Sequence, residues 1–273
     1  MGLFTAFSPL LMAAAAAPAE PACAPIAGWE EVLADDAVRF VILGEVHGSN
    51  EMAAIFADAV CLTAQARPVV VALEQGEVDQ PAIDAFMASD GDAEAKRAFL
   101  GARMWNGPMK DGRSSEAYFR LFETLRQMRH AGRIASVVAF EPWRFETQPT
   151  PDEYEKAMAD LVQAAGQSGA TVLALVGNIH AMRTEVQWQG GYMPMAGHLP
   201  PAATVTLNLV ADGGESWNCQ GGPDSCRANA SPGPPQPHQR GVELSADNGE
   251  PFSGVLYLGS PTTASPPQLG PAG

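Results

Sequence analysis

"FVILGEVHGSNE" at residues 40–51 and "VLALVGNIHAMR" at 172–183 each run a short apolar segment into Gly-x-x-His, and together they use two of the five histidines in the chain. Short, nearly continuous runs of Val, Ile and Leu are the pattern of strands buried on both faces. The same pattern recurs as "VRFVILG" (38–44), "PVVVALE" (68–74), "RIASVVAFE" (133–141) and "TVLALVG" (171–177). Between these runs lie segments of helical character at 50–66, a pair within 80–99, 114–130 and 151–166. Strand and helix therefore alternate, which predicts an α/β fold: a mostly parallel central sheet with helices on both faces, joined by right-handed crossovers. Two later runs, "ATVTLNLV" (203–210) and "SGVLYLG" (253–259), are expected to complete the sheet, with antiparallel placement open for them.

In an open parallel sheet the ligand site lies beyond the carboxyl ends of the strands. On this assignment the first strand ends at Glu45 and His47, the second at Glu74, the third at Glu141, and the fourth at Asn178 and His180. Four strands thus deliver an acid or an imidazole to one edge. A carboxylate at the end of a buried run needs a partner, because desolvating it alone costs several kcal/mol. The expected partners are the imidazoles or a bound ion. Two chance Gly-x-x-His matches among 27 glycines would be only mildly improbable, so the shared place after a strand carries the argument. The glycine itself suits a sharp exit from a strand, by positive φ or by close backbone approach.

Such a group can work in two ways. His47, Glu74 and His180 can hold a divalent metal (manganese, cobalt or zinc) that acidifies a bound water. Without metal, a histidine oriented by Glu45 or Glu74 can serve as general base on water. The chain contains no Gly-x-Ser-x-Gly elbow, dinucleotide fingerprint or Walker loop, so neither a serine nucleophile nor a nucleotide cofactor finds support. "RMWNGPMKDGRSSEAY" (103–118) is a candidate lid or substrate loop; in it Arg113 has the fork that binds a substrate carboxylate or phosphate. His198, in "MAGHLP", is a further substrate-binding candidate, as is Glu141. His130 ends a helix, where the dipole accounts for it.

These residues resemble the superfamily that joins erythromycin esterase-like hydrolases, TraB/Tiki proteins and ChaN-like haem-binding uptake proteins. The resemblance rests on "LGEVHGSNE", "VVVALEQ" and "LVGNIHAMR", with "RMWNGPMKDGRSS" and "YMPMAGHLP" beside them, and covers roughly residues 38–210. The esterase-like branch implies water activation by histidine and glutamate without metal, at Glu45, His47, Glu74 and His180. The Tiki-like branch implies metal-dependent peptide hydrolysis at His47, His180 and a glutamate. The ChaN-like branch implies surface haem capture through a tyrosine, without turnover; Tyr154 or Tyr192 on a flat patch would mark it. The function expected is hydrolysis of an ester or amide in a small-molecule or peptide substrate, against a haem- or metal-binding alternative.

Composition bounds the partners. A formal net charge of -15 repels phosphate backbones and anionic lipid, which excludes nucleic acid as a partner class. Residues 1–19 read as a signal peptide, with an apolar stretch from Leu3 to Ala17 and Ala17-Pro18-Ala19 at the cleavage position, although no Lys or Arg precedes the stretch. That stretch is shorter than the ~20 residues a spanning helix needs, so export to the periplasm or medium is expected, without stable membrane insertion. A single α/β domain is expected over 28–262, with a Gly- and Pro-rich exposed excursion at 213–248 and a disordered tail at 263–273. In an exported protein "CQGGPDSC" suits a disulfide between Cys219 and Cys226; the spacing is wrong for a zinc pair.

Overall fold

The computed structural model describes residues 23–270, apart from Arg144, Glu146, Asp247, Asn248 and the side chain of Gln189. The expected signal peptide lies outside the described residues. The elements in chain order are α1 (Trp29–Val32), β1 (Phe40–Glu45), α2 (Asn50–Ala66), β2 (Val69–Gly76), α3 (Gln80–Ala88), α4 (Ala93–Leu100), α5 (Arg103–Asn106), α6 (Glu116–His130), β3 (Ser136–Glu141), α7 (Pro151–Ala165) and β4 (Thr171–Gly177), followed by β5 (Thr204–Val210), β6 (Gly214–Cys219), β7 (Cys226–Ser231), β8 (Gly241–Leu244) and β9 (Gly254–Tyr257).

Seven strands form one sheet in the order β3-β2-β4-β1-β5-β9-β8. Six of them are parallel, and only the edge strand β8 runs antiparallel, against β9. The antiparallel option for the late runs therefore falls on β8, inside the supposed excursion, while β5 and β9 are parallel. Each strand sends alternate side chains to opposite faces. Val41 and Leu43 of β1 join a large apolar cluster with α2, α3, α4 and α6, whereas Phe40 and Ile42 join a second cluster with α7 and the Met195–His198 turn. A sheet covered on both sides explains why its strands read as unbroken apolar runs.

Two expectations from composition fail. The Gly- and Pro-rich stretch is not simply exposed: it holds the β6–β7 hairpin and β8. Cys219 pairs with Cys226 across that hairpin, as expected, and a second disulfide joins Cys23 to Cys61 of α2. The hairpin docks where β1 ends, with the Trp217 backbone N–H donating to Gly48 O and its indole donating to Lys110 O. The tail is ordered over 263–270. Ser265 N–H donates to Gly48 O, its hydroxyl accepts from Ala117 N, and Pro266 O accepts from Glu116 N. The tail thereby satisfies first-turn donors of α6 that have no partner within the helix, through one carbonyl and one hydroxyl oxygen.

Candidate active site

The first four strands of the order, β3, β2, β4 and β1, are neighbours, so Glu141, Glu74, the β4 exit and Glu45 form a continuous carboxyl edge. β1 and β4 pair in parallel with Glu45 opposite Gly177, which lays the two Gly-x-x-His segments side by side. Each glycine makes room for the other segment. A Cβ on Gly44 would come within 2.8 Å of Ala181 Cβ, and one on Gly177 within 3.2 Å of His47 Nε2. Close approach, rather than positive φ, is what these positions demand.

The two histidines are built alike. His47 Nδ1 lies 2.9 Å from Glu45 Oε1, which also accepts from the Tyr118 hydroxyl. His180 Nδ1 lies 2.7 Å from Glu155 Oε1, and Glu155 Oε2 accepts from Met195 N. Both supporting carboxylates are buried. With Nδ1 turned to its carboxylate, each ring presents Nε2 to Glu74: His47 Nε2 is 3.4 Å from Oε2 and His180 Nε2 is 4.0 Å from Oε1. Glu74 is itself fixed by Gly177 N, 2.7 Å from Oε2, and Arg113 Nη1, 2.9 Å from Oε1.

Burial works against a charged imidazole, yet the Glu74 charge and the bonds to Glu45 and Glu74 win and hold His47 up at about 10. His180 moves in the same direction: burial again opposes, and the Glu155 bond and Glu74 charge prevail. For Glu74, burial favours the neutral acid, but His47 and Arg113 keep its carboxyl well below the ordinary range. Burial first, and then Glu45, push the Tyr118 hydroxyl far up, so it remains a donor. The resting site is an ion cluster centred on Glu74.

A stability profile follows from these directions. His47 is raised from 6.5, so its contribution is complete below pH 6.5 and is lost as pH climbs through about 10; Glu74 is lowered from 4.5, so its contribution is complete above pH 4.5 and fades as pH falls. The melting temperature is therefore expected to be highest between these two values and to decline on the alkaline side. In His47→Gln the alkaline decline should flatten; an unchanged slope in calorimetry would remove His47 as its source.

The structure brings several of the candidates together and leaves others apart. Glu45, His47, Glu74 and His180 come together, and Glu141 joins them through Arg113, 3.3 Å from its Nη1. Arg113 differs from the expectation. Its fork is already committed to Glu74, Asp111 and Glu141, which makes it a strut of the site instead of a free anion receptor. His198 faces Met193 O and Asp152 of α7's first turn. The Tyr154 hydroxyl donates to Glu141, and that of Tyr192 accepts from Trp188 Nε1.

Sequence reasoning missed Glu155 and Tyr118, which lie on helices. Thr150 and Glu153 form a capping box that, with Pro151 at the first helical position, fixes the start of α7, and the buried stripe from there runs Glu155, Met158, Ala159, Val162. A carboxylate on an apolar helical stripe was the available signal. Tyr118 occupies the equivalent place in the α6 stripe with Ala117, Leu121, Phe122 and Leu125.

No family model matches the chain, and no curated protein is similar to it in sequence. Among solved structures, an erythromycin esterase EreC mutant in its open conformation is similar in fold, with a TM-score of 0.55 and 12% identity over 72% of this chain and 76% of the other. A protein from Bacillus cereus is also similar, with a TM-score of 0.56 and 10% identity over 87% of this chain and 92% of the other. The chain thus resembles the erythromycin esterase structure in fold, at identities that establish architecture alone.

Proposed function

We propose that this protein is a metal-independent hydrolase in which paired His–Glu dyads activate water to cleave an ester or amide. The observation that carries the reading is the convergence of two Nε2 atoms on Glu74, each ring oriented through Nδ1 by its own buried carboxylate. Holding Nδ1–H on a carboxylate leaves Nε2 as the proton-transfer atom and stabilises the imidazolium that forms. A substrate and water entering beside Glu74 part His47 from its strongest charge partner, which lowers its pKa so that the Nε2 proton passes to solvent and leaves a neutral base. His47 Nε2 then takes a proton from water as the hydroxide adds to the carbonyl carbon. His180, kept protonated by Glu155, donates to the developing oxyanion, and His47 returns its proton to the leaving oxygen or nitrogen.

A divalent ion on His47, Glu74 and His180 fits these residues poorly. Both oxygens of Glu74 already accept hydrogen bonds, and Oε1, the one nearer His180, is paired with the Arg113 cation. We place the protein outside the cytoplasm, in keeping with its two disulfides; no described helix is long and apolar enough to cross a membrane. The test is turnover of a panel of 4-nitrophenyl esters, lactones and anilides by protein dialysed against a chelator. Cleavage that survives dialysis supports the reading. Activity that appears only when manganese, cobalt or zinc is restored, or no cleavage across the panel, overturns it.

A further inference from the structure

A cleft of about 250 Å³ opens beside the ion cluster, sharing Arg113 and Glu141 with it and walled farther out by Met104, Met109 and Trp143. Its outer cation is Arg103. The guanidinium carbon of Arg103 lies 3.8 Å from the centre of the Trp143 ring, and Trp143 is 44% exposed. Asp79, itself buried, accepts from Arg103 N and so pins the short α5 turn that carries the side chain. Among the described residues the Arg103 guanidinium has no carboxylate within ion-pair distance, although carboxylates outnumber cations about two to one in the chain. Arg113, by contrast, is ringed by three carboxylates.

We infer that Arg103, held over the Trp143 ring, is the receptor for an anionic group of the substrate, a carboxylate or phosphate carried at a distance from the bond that is cut. The inference rests on the hydrolase reading for the placement of the scissile bond. A guanidinium stacked on an indole keeps its edge N–H groups free, and those form the planar fork that pairs with a carboxylate or phosphate. The stacking removes side-chain freedom in advance, so less order has to be imposed when the anion arrives. Trp143 is not open to a cationic substrate on that face, because Arg103 already covers it. Met104 and Met109 suit an apolar spacer between the anion and the reacting carbonyl. The substrate class is accordingly an amphipathic acid ester or amide.

The test compares 4-nitrophenyl hydrogen glutarate, which carries a free carboxylate, with the neutral 4-nitrophenyl pentanoate of similar length, and adds the phosphonate analogue of the glutarate to separate carboxylate from phosphate preference. The wild-type protein should favour one of the anionic esters in kcat/KM by about tenfold or more, the scale of one charge-assisted pair. Arg103→Met should erase that preference by raising KM for the anion while leaving the pentanoate rate alone, and Arg103→Lys should keep part of it. Equal rates on neutral and anionic esters, or a preference that survives in Arg103→Met, would overturn the assignment. Binding of 4-phenylbutyrate against 4-phenylbutyramide, read by tryptophan fluorescence, separates the two readings. Charge-selective binding lost in Arg103→Met without any ester cleavage leaves the receptor standing and removes the hydrolase; cleavage without charge selectivity does the reverse.

Discussion

His47→Asn should cut kcat/KM on whichever ester or lactone the protein cleaves by about a thousandfold, within the range of general acid–base catalysis by a positioned side chain. Asparagine keeps a donor for Glu45 Oε1, which otherwise retains only the Tyr118 hydroxyl, but it has no counterpart to Nε2. The loss is therefore one of proton transfer and not of support. His180→Asn should cost roughly a hundredfold, because it removes a donor to the oxyanion while the base remains. If the two dyads act as a unit through Glu74, the double variant will be little worse than His47→Asn alone, since groups that serve one step are strongly non-additive. Both side chains are partly exposed, 20% and 24%, so the variants should still fold and melt cooperatively. Full activity in either folded variant would refute a shared site, whatever the other does.

How much of this was readable in advance depends on where a residue sits. The strand-borne members declared themselves: Glu45, Glu74 and Glu141 close apolar runs that a buried parallel strand explains, and the charge at the end of the run then needs its own account. The alternation of runs also located β1 to β4 and the helices between them, because a sheet covered on both faces leaves a continuous apolar signal. Glu155 and Tyr118 were hidden because a helical stripe tolerates one polar position without losing its period, and only the packed structure reveals that Glu155 meets the His180 imidazole and the Tyr118 hydroxyl meets Glu45. The β6–β7 hairpin and β8 were hidden for a different reason. Their side chains are mostly half-buried or exposed and lie amid Gly and Pro, so composition reads as loop even though the backbone is paired. The tail reverses the usual rule for Pro-rich termini, because Thr263 O and Pro266 O accept from Asn50 N and Glu116 N at two helix starts, the Ser265 hydroxyl accepts from Ala117 N, and Gln268 N donates to Ser114 O. Cys23–Cys61 closes over 38 positions, a distance at which spacing says nothing about partners.

Glu74→Gln is the change from which the whole site should suffer most, although it preserves volume. Every group that meets the Glu74 carboxylate is a donor: Arg113 Nη1, Gly177 N, and the Nε2 atoms of the two raised histidines. Glutamine has one acceptor oxygen and one amide NH2, so any orientation sets a donor against donors and leaves at least one of them buried without a partner. Removing the acid from a buried, hydrogen-bonded charge cluster costs on the order of 3 kcal/mol, because the cations it served stay behind. The melting temperature should fall accordingly. His47 also loses the charge that does most to raise it, so its pKa should drop from about 10 toward 6.5, and the alkaline decline in stability should move to lower pH with it. Activity should fall by a further hundredfold or so even in molecules that remain folded, because the Nε2 atoms no longer share an anchor. The pH titration of the His47 ring by NMR in the variant is the decisive reading. A drop in its pKa joined to a lower melting temperature would establish Glu74 as the centre of the cluster, whereas an unmoved His47 would mean that Glu45 alone sets its charge and that the two dyads are independent.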